Sequence, residues 1–203
     1  TKVPAFSPFR ILNDPSLLEM FKTYSTNDKK IYIMAHFNHQ RELTPEAIEG
    51  LNLLMKSGVS MVNQTPLVAG VNDDPEVLTE LFTKLSYIGV PPYYVFLCRP
   101  TLGNETYSVS VERGYEIFEK SRTRCSGLAK RARLVMSHET GKIEVVGMTE
   151  DQIFFKYARA AESDNNARFM AFYRNPKACW FDDYQEALDE FSLFSETTKA
   201  GCL

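Results

Sequence analysis

Ile31-Tyr32-Ile33-Met34 runs straight into Ala35-His36-Phe37-Asn38-His39, and Val59-Ser60-Met61-Val62 runs into Asn63-Gln64-Thr65-Pro66-Leu67. Apolar runs of this length, rich in β-branched residues, make buried strands, and the polar clusters stand at their carboxyl ends. In parallel α/β folds that edge is where ligands are met. The two segments therefore predict two neighbouring strands with a polar site at their ends.

Working outward, Pro15, Pro45 and Pro75 recur about every 30 residues, preceded by Asp14, Thr44 and Asp74. Each pair reads as N-cap and first helical residue. The amphipathic runs behind them predict helices over Pro15–Thr23, Pro45–Ser57 (Ile48, Leu51, Leu54 and Met55 inward) and Pro75–Ile88 (Val77, Leu78, Leu81, Phe82 and Leu85 inward). Gly58 and Gly89 close the last two. A further strand at Tyr93–Leu97 completes an alternation of strand and helix at the pitch of βα units, which calls for parallel pairing. Thr1–Phe6 reads as the tail of another strand, so the chain is expected to begin inside a fold.

From Val111 the pattern changes. A helix over Val111–Ser121 leads to strands Ala132–Met136 and Ile143–Val146, joined as a hairpin by Ser137-His138-Glu139-Thr140-Gly141. Short aromatic strands at Ile153–Ala158, Phe169–Tyr173 and Ala178–Phe181 predict a small antiparallel sheet. A helix over Asp183–Phe191 and a frayed tail, Ser192–Leu203, follow. The expected organisation is a parallel α/β half over residues 1–125 and a hairpin, small sheet and helix over 126–203.

Composition bounds the function. With 203 residues, 44% hydrophobic and 24% charged, the chain can bury one sizeable core. A net charge of -3 and a pI near 5.7 speak against nucleic acid or an anionic membrane as partner, because both need a basic surface. The longest apolar stretches are strand-sized, and a cytoplasmic location is expected. Cys98, Cys125, Cys179 and Cys202 show no paired spacing and are expected to be reduced thiols.

The strand-end residues allow more than one chemistry. His36 and His39 form an H-x-x-H pair able to serve a metal hydrolase, but the next strand ends offer only Gln64 and Cys98-Arg99, which do not complete a metal site. His39 reads as a hydrogen-bonding loop residue ahead of a helix. His36 and Gln64, facing each other across adjacent strands, suit neutral hydrogen bonding to a small polar molecule. A non-catalytic binding module on a half barrel is the reading from another class.

His36-Phe37-Asn38-His39 with Glu42, Asn63-Gln64-Thr65-Pro66-Leu67, Gly70-Val71-Asn72-Asp73, Pro92-Tyr93-Tyr94 and Ser126-Gly127 together resemble the lysine 2,3-aminomutase family of radical S-adenosylmethionine enzymes, in order and at matching intervals from Thr1 to about Val146. The resemblance implies the carboxyl-terminal part of a partial TIM-like barrel. It also implies S-adenosylmethionine, a [4Fe-4S] cluster on a three-cysteine loop that these 203 residues lack, and pyridoxal phosphate, so the chain alone is not expected to be catalytically competent. By position, His36 and Gln64 match residues lining the S-adenosylmethionine site, with Asn38 and Asn63 beside them. Lys142 matches the lysine that forms an aldimine with pyridoxal phosphate, although His138-Glu139-Thr140-Gly141 stands where the family has a run of glycines. Arg99 stands where the family places an aspartate for a substrate ammonium, and the second substrate aspartate has no counterpart near Met136-Ser137. Lysine is thus not the expected substrate; a small molecule with an anionic group facing Arg99 is. Self-association through an open sheet edge is the expected protein contact.

Overall fold

The computed structural model describes residues 1–185 and 187–191. The chain is mixed α/β and divides into two compact units, one formed by Thr1–Val95 with Ile117–Ala132, the other by Phe96–Glu116 with the residues from Arg133 on.

The first unit carries α1 (Val3–Phe6), α2 (Phe9–Leu12), α3 (Pro15–Tyr24), β1 (Tyr32–His36), α4 (Pro45–Lys56), β2 (Ser60–Leu67), α5 (Pro75–Tyr87) and the start of β3 (Pro92–Leu97). The proline-headed helices form as the caps dictate. Asp14 accepts from the Leu17 N–H, Thr44 from that of Ala47 and Asp74 from that of Glu76. Each cap satisfies a helix-terminal donor, worth about 1 kcal/mol. Gly58 and Gly89 adopt φ of +88° and +82° where α4 and α5 end, a backbone only glycine takes without strain. The buried stripe of α5 is Leu78, Leu81, Phe82 and Leu85, as the periodicity requires, while Val77 is half-buried. On α4 the seam is rotated slightly from expectation: Ala47, Gly50, Leu51 and Leu54 are buried, while Ile48 and Met55 are half-buried.

β1 and β2 pair in parallel, with Tyr32 opposite Ser60 and His36 opposite Gln64. β3 is the next neighbour of β2. Burial alternates along β2, so Met61, Asn63, Thr65 and Leu67 lie on the buried face and Val62 and Gln64 on the half-buried one. His36 shares the face of Gln64, because partners in register point the same way.

The expected strand at Thr1–Phe6 is absent: Val3–Phe6 makes a single helical turn, with the Ser7 N–H on the Val3 carbonyl. Pro4 at the start of a turn fixes φ at a helical value and removes a donor that a strand would need.

In the second unit, β4 (Arg133–His138), β5 (Gly141–Met148), β6 (Gln152–Ala160), β7 (Phe169–Tyr173) and β8 (Asp189–Phe191) neighbour one another in sequence order and pair antiparallel. The β4–β5 hairpin and the aromatic strands β6 and β7 are thus as read, with the turn shortened to Glu139-Thr140. Their buried face is built by Ile143, Val145, Ile153, Phe155, Met170 and Phe172. α6 (Val111–Thr123) and β3 run from one unit into the other. Two readings are corrected. Ala178–Phe181 is not a strand but the approach to a 3-10 turn over Phe181–Asp183, which Asp183 closes by accepting the N–H groups of Cys179 and Trp180 at 2.8 and 2.9 Å. No helix spans Asp183–Phe191, because Asp189–Phe191 pairs with Phe169–Ala171 and the sheet outcompetes local helical preference. The expected tail at 192–203, with Cys202, lies outside the described residues.

Candidate functional site

The carboxyl ends of β1 and β2 are organised by two buried asparagines. Asn63, fully buried, accepts the Phe37 N–H at 2.8 Å and donates to the Phe37 carbonyl at 3.1 Å and to the Thr65 hydroxyl at 2.9 Å. Thr65 in turn donates to the same carbonyl at 2.9 Å. Past its pairing with β2, the β1 backbone is therefore held by side chains of β2. Asn72, also fully buried, donates to the Asn38 and Pro66 carbonyls, each at 2.9 Å, and accepts the Val68 N–H at 2.7 Å. Glu42 accepts the Asn38 N–H at 2.6 Å and pairs with Lys2 at 2.5 Å. Asn38 is thus fixed at both its backbone groups.

With the backbone so fixed, three buried polar atoms in this loop, His36 Nε2, Asn38 Oδ1 and Gln40 Oε1, complete no hydrogen bond of good geometry among the described residues, although the Asn38 side chain stands near enough to the His36 ring to favour its protonated form slightly. An unpaired buried polar group costs about 1–3 kcal/mol, which makes these three atoms the candidate ligand contacts of the loop. Burial, then the nearby Lys2 ammonium, pushes the His36 imidazole below its ordinary value, so the ring is neutral at pH 7 and Nε2 serves hydrogen bonding rather than charge. Gln64, opposite His36 in register and half-buried, adds a carboxamide on the same face. The arrangement offers neutral hydrogen-bonding groups at the carboxyl ends of β1 and β2.

His39 does what a loop residue ahead of a helix does: its Nδ1 accepts the Arg41 N–H at 3.1 Å and caps a 3-10 turn at Gln40–Glu42. Among the described residues no three His, Cys, Asp or Glu side chains gather to hold a metal ion. Cys98, Cys125 and Cys179 form no disulfide among the described residues, and burial raises each thiol above its usual value. No helix among the described residues is long and apolar enough to cross a membrane.

Of the other predicted site residues, Arg99 lies exposed after β3 in a loop where Asn104 donates to its carbonyl at 2.8 Å. Lys142 lies on β5, half-buried, with Nζ 5.4 Å from the centroid of the Phe96 ring. Asn63 belongs to the predicted set, but both amide hydrogens are used on Phe37 and Thr65, which makes it a brace for the site. Sequence reasoning gave no role to Asn72 or Gln40. Asn72 stood inside a quoted motif without a visible partner, since its contacts to Asn38 span 34 residues.

The chain is a mixed α/β protein with a polar cluster at the carboxyl ends of its parallel strands. No family model matches the chain. Among curated proteins it is 54% identical over 192 residues to an Aquifex aeolicus protein provisionally named L-lysine 2,3-aminomutase, covering 94% of this chain and 51% of that protein. It is 39% identical over 127 residues to the L-lysine 2,3-aminomutase of Clostridium subterminale (63% of this chain, 29% of that protein). It is 34% identical over 141 residues to the glutamate 2,3-aminomutase of Clostridioides difficile (70% and 32%). Among solved structures, a radical SAM methyltransferase from Sphaerobacter thermophilus matches with a TM-score of 0.43 and 18% identity, over 60% of this chain and 38% of that one. By sequence the chain is homologous to the lysine 2,3-aminomutases over 94% of its length. It spans about half the length of the Aquifex relative and about a third or less of the other two.

Proposed function

We propose that the chain is the carboxyl-terminal portion of a radical S-adenosylmethionine enzyme that moves an amino group within a substrate other than lysine. In this reading its parallel strands are part of a partial barrel and the protein works in the cytoplasm. His36 and Gln64, with Asn38 beside them, hold S-adenosylmethionine at the carboxyl ends of β1 and β2. When bound with a [4Fe-4S] cluster, that molecule supplies a carbon radical for hydrogen abstraction. The cluster ligands are assigned to the additional length that the relatives possess.

The observation that carries the reading is the braced loop with unpaired His36 Nε2 and Asn38 Oδ1 next to Gln64. A neutral imidazole contacts a sulfonium-bearing ligand without charge repulsion, and Asn63, Asn72 and Glu42 keep the loop in one geometry so that little ordering is needed on binding. Arg99 shapes the substrate. An exposed guanidinium attracts a carboxylate or phosphate and repels an ammonium group, and the relatives' names include a glutamate as well as lysine aminomutases.

The test is anaerobic reconstitution of the full-length protein with iron and sulfide, followed by assay of S-adenosylmethionine cleavage and of amino-group migration in lysine and glutamate. Cleavage with glutamate preferred supports the reading. Efficient turnover of lysine overturns the substrate assignment, and absence of any S-adenosylmethionine cleavage by a cluster-loaded protein overturns the enzyme class.

A further inference from the structure

Gln40 carries one of the three buried atoms that complete no hydrogen bond, and its neighbours fix which end of its carboxamide that is. The residue opens the 3-10 turn Gln40–Glu42, which packs on α5. On α5 the Glu80 carboxylate pairs with Lys84 at 2.6 Å. It is held below the usual carboxylate range first by that lysine and, to a lesser degree, by a hydrogen bond from the Gln40 side chain. A carboxylate only accepts, so Glu80 takes the amide nitrogen of Gln40, and the amide oxygen is turned away from it. Reversing the carboxamide would set its oxygen against the carboxylate.

The oxygen so placed, Oε1, is buried and meets no donor among the described residues. Stability alone would favour an apolar side chain here: leucine has a similar reach and strands no acceptor, and the contact it would forgo is made to an exposed carboxylate, where such contacts are worth little. Asn38, two residues earlier in the same loop, brings a second carboxamide oxygen that completes no hydrogen bond of good geometry. Two acceptor oxygens in one loop suit a nitrogen bearing two or three hydrogens better than a hydroxyl, which has one to give.

We propose that Gln40 is a specificity-determining residue at the carboxyl ends of β1 and β2, its side-chain oxygen accepting a hydrogen bond from an amino or ammonium group of the molecule bound there. Glu80 is then a positioning residue that acts through Gln40. This deepens the S-adenosylmethionine reading of the site and rests on it: that molecule offers an ammonium on its methionyl part and an amino group on its adenine, and both donate.

The test is equilibrium dialysis with the full-length, cluster-reconstituted protein, as parent, Gln40→Leu and Glu80→Gln. The ligands are S-adenosylmethionine, methylthioadenosine, which lacks the ammonium, and S-inosylmethionine, which has a carbonyl in place of the adenine amino group. Gln40→Leu should weaken S-adenosylmethionine at least about tenfold. That loss should vanish for one analogue, the one without the group that Gln40 contacts. Glu80→Gln, which lets the Gln40 amide reverse, should give the same pattern at smaller size. Urea denaturation without ligand is the independent readout: Gln40→Leu should keep or raise the parent's midpoint, because its oxygen leaves no partner behind. A midpoint lowered together with binding would assign Gln40 to the fold and overturn the proposal. Equally tight binding by parent and Gln40→Leu overturns it alone, as does a loss that persists in full with both analogues. Failure of the parent to bind S-adenosylmethionine overturns it together with the reading it rests on.

Discussion

Asn63 holds Phe37 by both backbone groups, accepting its N–H at 2.8 Å and donating to its carbonyl at 3.1 Å, across 26 residues of sequence. The side chain thus continues β2's grip on the first chain beyond the last paired residue, His36. Because Phe37 is fully buried, water cannot replace Asn63. Asn63→Ala is expected to destabilise the fold by about 2 kcal/mol or more, since each buried group left unpaired costs about 1–3 kcal/mol. Urea denaturation monitored by circular dichroism measures it. An unchanged midpoint would show that the brace is not needed.

His36 gives a pH dependence. Burial holds its folded pKa below the ordinary 6.5, so the unfolded chain binds the proton first as the pH falls. Stability from this group is therefore complete above about pH 6.5, declines as the pH drops toward the folded value, and levels off below it. Denaturation midpoints across this window should lose that slope in His36→Gln. A slope persisting unchanged in the variant would assign it to other groups.

Gly141→Ala is expected to be strongly destabilising. The new Cβ would meet the backbone of Arg159 and Ala160, neither of which is a flexible side-chain end, and φ of +141° strains any L side chain. A cost of about 2 kcal/mol or more is expected from overpacking and strain together. Gly127→Ala, with nothing within 4 Å of its added Cβ, is the control that should be nearly neutral.

β1 stands at the end of the strand order, with Tyr32 71% exposed, the Thr1 ammonium on the Met34 carbonyl and α1 beside the strand. An exposed strand edge templates pairing with a second copy. Sedimentation of the chain should show concentration-dependent association, weakened by Tyr32→Lys. A monomer at all concentrations would contradict this.

Much of the first unit was legible because its signals are local. Asp14-Pro15, Thr44-Pro45 and Asp74-Pro75 fix helix starts through bonds of two to four residues' reach, and the strand periodicity sets which residues share a face. The register of His36 on Gln64 followed from those alone. What was hidden depends on distant partners. Thr1–Phe6 has strand-like apolar content but a proline that suits a helical turn, and Asp189–Phe191 follows a helix-compatible stretch yet pairs with β7. The brace of Asn72 on Asn38 and the unpaired oxygen of Gln40 could not be read from spacing, because both arise only when separated loops meet. That Gly141 faces the backbone of Arg159 and Ala160 could not be read from the sequence either, because β6 pairs with it only in the fold.

The central claim is that the carboxyl ends of β1 and β2 hold S-adenosylmethionine through His36 and Gln64, and equilibrium dialysis of labelled S-adenosylmethionine against the full-length, cluster-reconstituted protein tests it most directly. The account predicts saturable binding that weakens at least about tenfold in both His36→Ala and Gln64→Ala, roughly 1.4 kcal/mol per lost contact, with the cluster's absorption spectrum unchanged. Binding that is equally tight in the two variants and the parent would contradict it.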